Sequence, residues 1–254
     1  MIIINQQTCR ESVTIVNGRV VAGEGANDDC RTQFDKRETA DCNGIKKIDI
    51  RSNVIVKIQA ERARKDIEAH LHGNINKKAE PKFFVTRNGD KLLIAVESSA
   101  ANSSGNVLGD SDIQIVINNS GNEGLILDIL IPSCVFEEIV IDNKSTDINV
   151  MDTVNAERIS INSSNGDVDV SATFQQLCID QKNGNIDVDS KALSDVKLDI
   201  TSRNGNIDVS IDNIGKTQVL VESKNGICRN RPRLKGQYTA CGNIVSKNGN
   251  LRFK

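Results

Sequence analysis

The stretch SSNGDVDV at residues 163–170 returns as QKNGNIDV at 181–188 and as SRNGNIDV at 202–209. Two looser versions follow, SKNGICRN at 223–230 and SKNGNLRF at 246–253, and a degenerate one, IVIDNKSTDINV, precedes them at 139–150. An Asn-Gly pair between alternating apolar residues usually predicts the tight turn of a β-hairpin. Recurrence of the pair at intervals of 18–23 residues is instead typical of a repeat protein.

Each copy contains two short strands of alternating apolar residues around the turn. Around Gly184, for example, Leu177 and Ile179 come before it and Ile186 and Val188 after it. Because every copy leaves an apolar face uncovered, stacking the copies would bury these faces in one continuous core. The sequence therefore predicts an all-β, single-stranded β-solenoid, or β-helix, with about six recognisable C-terminal rungs and a β-rich N-terminal part. The alternative is a sandwich of hairpins, in which the two strands of each copy pair with each other.

In a solenoid the Asn-Gly pairs would lie one above another at a single corner. The glycine would supply the positive φ that other residues resist. The asparagine amides would form an asparagine ladder from rung to rung, because neighbouring strands are about 4.8 Å apart. The predicted turn residues are Asn165, Gly166, Asn183, Gly184, Asn204, Gly205, Asn225, Gly226, Asn248 and Gly249.

The last copy ends at Phe253, with one residue after it. Open strand edges on a terminal rung invite pairing with another chain. We therefore expect Leu251 and Phe253 to form an interface, through which the protein assembles as a homo-oligomer.

The first half of the chain is less regular. Residues 1–44 read as an N-terminal β segment, with a short hairpin at 17–18, followed by a mobile polar loop over 22–44. Residues 45–134 contain strand-like runs, with an ordinary hairpin at Asn88-Gly89 and, as an alternative, a helix over 60–70. We predict one elongated solenoid domain over 45–254, irregular over 45–134 and regular over 135–254.

Composition argues against several classes of protein. The 32 basic and 34 acidic residues give a net charge of −2, so no global field favours nucleic acid. Aromatic residues make up 3% of the chain, with no Trp, which leaves few platforms for stacking bases or sugars. No apolar run is long enough to span a membrane. The N-terminus MIIINQQTCRES is not a recognisable signal peptide, so the chain as given reads as cytoplasmic, or as an envelope or surface protein whose export signal has been removed.

The order of the motifs resembles that of a known family. IDIRSNVIVKIQ at 48–59, NGDKLLIAVE at 88–97 and LILDILIPSCVFEEIVIDN at 125–143 precede the tandem NGNIDV copies. This order is similar to that of the bacterial putative-adhesin family of β-helical proteins, which is related to the head GIN domain. The resemblance covers residues 45–254, apart from Asn where the family often has Ser before the turn Gly. It implies a non-enzymatic adhesin-like or scaffolding role, with no catalytic residues to carry over.

Charged columns on the outside of the coil are the candidate binding features. Asp169, Asp187 and Asp208 occupy the same outward position in successive copies, where they could hold a hard cation such as Ca²⁺ or be offset by neighbouring charges. We expect the second outcome, with no bound metal or other cofactor. A column two residues before the turn Gly is mostly basic: Lys144, Ser164, Lys182, Arg203, Lys224 and Lys247.

A glycan-binding or polysaccharide-cleaving β-helix is the alternative function. Such enzymes place paired carboxylates in a long cleft, and they grip sugars with aromatic side chains. The chain has one Tyr and six Phe, so we expect no catalytic site, and the partner, protein or glycan, is unknown.

Histidines and cysteines give weak signals for metal. His70 and His72 share one strand face, but no carboxylate or thiolate stands at suitable spacing beside them. Seven cysteines without a CxxC pair argue against a zinc site or a disulfide framework. Cys30 with Cys42 is the best candidate for a bridge.

Overall fold

The structure is a computed structural model that describes residues 14–16, 19–21, 31–76, 81–97 and 124–254. The strand-like run SDIQIVI at 111–117 and the polar stretch at 98–109 lie outside these residues. Throughout the described part the regular structure is β-strand, without a helix.

The strands before the repeats are β1 (Thr14–Val16), β2 (Arg19–Val21), β3 (Arg31–Asp41), β4 (Lys47–Ser52), β5 (Ile55–Glu61), β6 (Asp66–Asn76), β7 (Lys82–Asn88), β8 (Lys91–Glu97) and β9 (Ile126–Pro132). The strands of the repeats are β10 (Val135–Asn143), β11 (Ile148–Val150), β12 (Asn155–Ser163), β13 (Val168–Val170), β14 (Thr173–Asn183), β15 (Ile186–Lys191), β16 (Val196–Asn204), β17 (Ile207–Asp212), β18 (Ile214–Asn225), β19 (Cys228–Asn230), β20 (Tyr238–Asn248) and β21 (Leu251–Phe253).

Two sheets face each other across the core. The nine-stranded sheet has the order β18-β20-β16-β14-β12-β10-β4-β8-β7, and the ten-stranded sheet has the order β19-β21-β17-β15-β13-β11-β5-β9-β6-β3. Each copy of the repeat gives one strand to each sheet and pairs in parallel with the copies above and below it. The predicted β-solenoid is therefore confirmed, and the sandwich of hairpins is wrong. The hairpins predicted at 17–18 and 88–89 are present as the antiparallel pairs β1–β2 and β7–β8.

The core consists of files of branched side chains that run along the axis of the coil. In the central rung Leu177, Ile179, Ile186 and Val188 expose between 0% and 2% of their surface. Each lies in register with the matching residue of the next rung, so that, for example, Ile179 pairs with Ile200. The apolar alternation around the turn thus decides which face of each strand is buried.

The order of the rungs departs from the order of the chain at its C-terminal end. The copy formed by β20 and β21 lies between the preceding two copies, and β18 and β19 form the outer edge. Leu251 and Phe253 pair with strands on both sides and expose 1% and 0% of their surface. The expectation that these two residues form an open C-terminal interface is therefore wrong.

The inward positions of the two copies explain this exchange. Cys228 and Asn230 stand in β19 where the other copies have apolar residues, and β19 is exposed along its whole length. An end rung needs to cover the core from one side only, and terminal repeats are usually atypical. The copy with Leu251 and Phe253 has the apolar residues that an interior position requires.

Two expectations for the N-terminal part are also wrong. Residues 31–41 of the predicted mobile loop form β3, which pairs antiparallel with β6 along its whole length. The segment 60–70, where a helix was the alternative, contains the end of β5, a turn and the start of β6. The central rung β4–β5 lies between β8–β9 and β10–β11, so the chain also skips a place here.

The corner of the coil depends on the absence of side chains. A Cβ added to Gly184 would lie 2.1 Å from the carbonyl oxygen of Gly166, and one added to Gly205 would lie 1.8 Å from that of Gly184. Gly249 meets Gly205 in the same way, and Gly226 meets Gly249. The sequence predicted a positive φ, which Gly205 has at +140°. The close approach of backbone to backbone is the stronger reason for glycine, because it applies to Gly226 as well, whose φ is outside the positive range.

Side-chain amides connect the same corner from rung to rung. The Nδ2 atoms of Asn183 and Asn204 donate to the Oδ1 of the preceding asparagine at 2.9 and 2.8 Å, and Asn248 donates to Asn204 at 2.7 Å. Asn225 completes the series by donating to Asn248 at 2.8 Å. These bonds follow the spatial order of the rungs, including the exchange of the last two copies.

A second series of hydrogen bonds, which the sequence analysis missed, lies just after the turn. The side-chain oxygen one residue after the Gly accepts from the backbone N–H of the matching residue in the next rung. The donor and acceptor pairs are Asp167 to Asp147, Asn185 to Asp167, Asn206 to Asn185, Asn250 to Asn206 and Ile227 to Asn250, at 2.7–3.1 Å. Asn and Asp are well suited to this position because each carries a short side chain with an acceptor oxygen.

We expect Gly205→Ala to lower the free energy of unfolding by about 3 kcal/mol or more, since its Cβ would overlap backbone that rungs on both sides hold in place. Gly89→Ala is the matched control, because Gly89 has a φ of +62° with no atom within 4 Å of an added Cβ. That variant should lose only about 1–2 kcal/mol, from the left-handed conformation alone. Urea unfolding followed by circular dichroism measures both, and equal losses would refute the role given to close approach.

Candidate functional site

A single line of outward side chains crosses the ten-stranded sheet. One residue from the middle of each strand lies in register with its neighbours on both sides, and we call this set the outer file. From one edge to the other its members are Arg37, His70, Asp128, Lys57, Asn149, Asp169, Asp187, Asp208, Arg252 and Arg229. The residues that flank each member within the central strands point inward and are buried.

Three aspartates form the acidic centre of the outer file. Asp169 pairs with Asp187 and Asp187 with Asp208, as the repeat predicted. Burial, and then the neighbouring carboxylates Asp187, Asp167 and Asp147, raise the pKa of Asp169. Burial and the charge of Asp208 raise the pKa of Asp187. Stacking like charges one strand apart therefore disfavours their ionised forms.

Two cations offset the end of the acidic centre. Arg252 Nε lies 3.3 Å from Asp208 Oδ2, and Lys254 Nζ lies 3.0 Å from Asp208 Oδ1. Asp169 and Asp208 are two strand intervals apart, or about 10 Å, whereas Ca²⁺ binds oxygen at about 2.4 Å. The three aspartates thus have the geometry of a charged surface with partial compensation, which agrees with the expectation that neighbouring charges offset them.

The two histidines lie near the other end of the outer file. His70 and His72 point outward from β6, which runs between β3 and β9. Their rings are 4.4 Å apart between centroids, and Asp35 and Asp128 flank them from the neighbouring strands. In the described part of the chain, His70, His72 and Asp128 are the one set of three metal-binding side chains whose ligand atoms all lie within 4.8 Å of one another.

Sequence reasoning found the histidines but missed the carboxylates. Asp128 is 58 residues from His70 along the chain, and Asp35 is 35 residues away in a segment that has no strand-like alternation. Only the antiparallel registers of β3, β6 and β9 bring them together. The one available signal was the strand-like run GLILDILIP, in which Asp128 is the single charged residue.

The basic column predicted beside the turn is present as an exposed feature of the corner. Lys182, Arg203 and Lys247 lie on successive rungs, and their side chains are solvent-exposed. Lys224 belongs to the end rung, next to β19, whose Arg229 is exposed as well. Positive charge is therefore concentrated at the corner and at the β18–β19 end of the coil.

Cysteine chemistry adds no further site. The five cysteines of the described part are not bonded to one another. Burial, followed by the nearby Cys134 and Asp41, raises the pKa of the Cys42 thiol to about 11. A thiol with so high a pKa is a poor nucleophile at neutral pH. The predicted Cys30–Cys42 bridge lies outside the described residues, because Cys30 does.

Fold and surface together define a repeat protein, a β-solenoid whose ionisable groups are arranged in files on its outer faces. The chain belongs to the Toastrack DUF4097 family, whose sequence model matches residues 45–253. The resemblance to the putative-adhesin family is confirmed by this match.

Several solved bacterial structures are similar to the chain. A putative cell adhesion protein from Clostridium sporogenes is 14% identical, with a TM-score of 0.49, and the match covers 88% of this chain and 99% of that one. A putative adhesin from Bacteroides fragilis is 14% identical, with a TM-score of 0.44 and coverage of 87% and 97%. A putative adhesin from Parabacteroides merdae is 12% identical, with a TM-score of 0.33 and coverage of 91% and 98%. No curated protein sequence matches the chain.

The described residues include no helix of the length and hydropathy that crossing a bilayer requires.

We expect Asp187→Asn to stabilise the protein at pH 7, by less than about 1 kcal/mol because water screens these partly exposed groups. The sign follows from the raised pKa of Asp187, since the folded state binds its proton more tightly than the unfolded state does. The destabilisation by its charge therefore develops as the pH rises above the ordinary pKa of 3.8, and the gain from the variant should vanish below that pH.

Asp152→Asn is the control for this prediction, because it removes the same charge from an exposed turn. Chemical unfolding at pH 3 and pH 7 measures both variants. A gain for Asp187→Asn that persists at pH 3, or an equal gain for Asp152→Asn, would contradict the charge repulsion described here.

Proposed function

We propose that the protein is a non-enzymatic, adhesin-like or scaffolding β-solenoid that binds a macromolecule through its stacked outer faces and open ends. The observation that carries the proposal is the outer file. Ten strands place its side chains in register on one face, roughly 43 Å across, since about 4.8 Å separates neighbouring strands. A long and nearly flat array of this kind matches an extended protein or glycan surface better than a small molecule, which usually occupies a concave pocket.

The distribution of charge along the outer file supports the same proposal. Asp169 and Asp187 form its acidic centre, while Arg252 and Arg229 make its β19 end basic. Complementary charge patterns of this kind steer partners and fix the register in which they bind. The order of the motifs, which resembles that of the putative-adhesin family, points the same way.

Binding to arrays of glycans and charged peptides tests the role of the outer file. We expect intact protein to bind at least one class of probe, and the double variant Asp169→Asn with Asp187→Asn to lose at least tenfold in affinity, about 1.4 kcal/mol. The matched control is Asp152→Asn with Asp180→Asn, which removes two exposed charges elsewhere. An equal loss in the control, or no binding to any probe, would count against the outer file as the binding surface.

Polysaccharide cleavage is the second candidate function, and the acidic centre is the observation that favours it. Paired carboxylates about one strand interval apart, one held ionised and one with a raised pKa, are the arrangement that glycosidases use. Here Asp208 is paired with Arg252 and Lys254, next to Asp187 with its raised pKa. Release of reducing ends from a polysaccharide panel, abolished by Asp187→Asn, would establish the enzyme and refute the non-enzymatic proposal. We expect no release.

The open end at β18 and β19 is the surface that we assign to self-association. Its outer strands are the last in their sheets, so one row of backbone groups lacks a strand partner within the described chain. Leu220 and Ile227 expose 54% and 59% of their surface on this end rung. Exposed apolar side chains beside an open edge favour pairing with a second copy.

We therefore expect concentration-dependent sedimentation of the intact protein, which Leu220→Lys with Ile227→Lys should reduce to a monomer. Leu193→Lys is the matched control, because Leu193 exposes 58% of its surface away from this end. Association should strengthen with salt, since screening weakens the repulsion between the basic groups near β19. A monomer at high concentration and high salt would contradict the assignment.

A further inference from the structure

The N-terminal end of the ten-stranded sheet brings both histidines of the chain to two aspartates. His70 and His72 are two residues apart on β6, so their side chains leave the same face of the strand. Ala69 and Leu71, on either side of His70, are fully buried on the opposite face. The core therefore holds this strand in place while the imidazoles face outward.

The aspartates approach from the strands on both sides of β6. His72 Nε2 lies 2.7 Å from Asp128 Oδ2 on β9, and His70 Nε2 lies 3.0 Å from Asp35 Oδ1 on β3. Each contact is diagonal, since Asp128 stands directly opposite His70 and Asp35 directly opposite His72. The four side chains thus converge on one patch instead of forming two separate pairs.

We propose that His70, His72 and Asp128 form a binding site for a divalent transition-metal ion such as Zn²⁺. Two imidazoles and one carboxylate are a common set of protein ligands for zinc and related metals. The ligand atoms lie within 4.8 Å of one another, and tetrahedral zinc needs about 3.3 Å between ligands bonded at about 2.0 Å. Small rotations of the outward side chains close that difference without moving the backbone.

Partial burial favours the site and leaves one side open. The side chain of His70 is 17% exposed, that of His72 32% and that of Asp128 36%. The three protein ligands cover one side of an ion, and the solvent side provides an entry path and room for water as a further ligand.

Asp35 has a different role in the proposal. Its carboxylate is more exposed, at 58%, and it contacts His70 Nε2 from the edge strand. A carboxylate that accepts from one ring nitrogen orients the imidazole and makes the other nitrogen a stronger ligand. Asp35 is therefore a positioning residue, and it leaves His70 Nδ1 for the ion.

Two nearby cations act against metal binding. Arg37 lies opposite His70 in the outer file, and Lys57 lies opposite Asp128. Arg37 is directed to Glu68, with Nη1 3.4 Å from Oε1, which compensates part of its charge. Simple hydrogen bonding between the histidines and the aspartates is the competing explanation of the cluster, and the experiment below separates the two.

The chain offers a direct probe, because His70 and His72 are its only histidines. Every imidazole signal in a ¹⁵N–¹H spectrum therefore comes from this patch. The protein is first alkylated with iodoacetamide, since free thiols such as the exposed Cys134 and Cys228 also bind zinc. Zn²⁺ is then titrated into the full chain. We expect both histidines to shift together and to saturate at one equivalent.

Variants then test the assignment. Asp128→Asn should weaken Zn²⁺ binding at least tenfold, and Asp35→Asn should weaken it about tenfold, as removal of partners around metal ligands commonly does. Asp187→Asn is the matched control in the same outer file and should bind Zn²⁺ like the unsubstituted protein. Circular dichroism confirms that each variant is folded. Imidazole signals that stay unmoved at millimolar Zn²⁺, or affinity that is unchanged in Asp128→Asn, would overturn the site and leave simple His–Asp hydrogen bonds.

Discussion

The close approach of glycine to carbonyl oxygen at one corner is the contact on which the rest of the coil depends. A Cβ at Gly205 would lie 1.8 Å from the oxygen of Gly184, so no side chain fits between the rungs there. This contact brings successive turns to sheet spacing at the point where the chain changes sheets. Once the turns are that close, the amides of Asn183 and Asn204 reach each other at 2.8 Å. The apolar files follow from the same spacing, because strands in register place like residues above one another.

The same architecture divides the residues into two groups with different freedom. Inward and corner positions are held by packing and by hydrogen bonds, as at Ile179 and Asn204. Outward positions of the ten-stranded sheet carry charges whose identity the fold does not require, and they differ from one end of the outer file to the other. Asp208 with Arg252 makes ion pairs near one end, and His70 with its carboxylates offers nitrogen and oxygen ligands near the other. One rigid face thus presents two kinds of chemistry.

Local sequence was sufficient for the parallel coil, because the alternation around each Asn-Gly pair fixes which side of the strand is buried. The order of the rungs was harder to obtain, although Cys228 and Asn230 in place of apolar residues marked the copy that belongs at the edge. The histidine cluster could not be predicted, since it depends on antiparallel registers between strands that no short turn connects. Strand β3 was missed for a related reason: its sequence RTQFDKRETAD has few apolar residues, and pairing with β6 stabilises it.

Insertion of β20 between two earlier strands has a consequence for biosynthesis. Residues 214–230 leave the ribosome before residues 238–253, and on the nascent chain Val219 and Val221 meet the exposed edge of β16 while their final neighbour is still missing. The apolar files on that edge match them, since Leu198 and Ile200 repeat the same spacing. A premature seam between β16 and β18 therefore satisfies the same contacts as the finished coil. Completing the fold requires that seam to open and admit the later strand, which makes this step a kinetic trap of the molecule's own repetition.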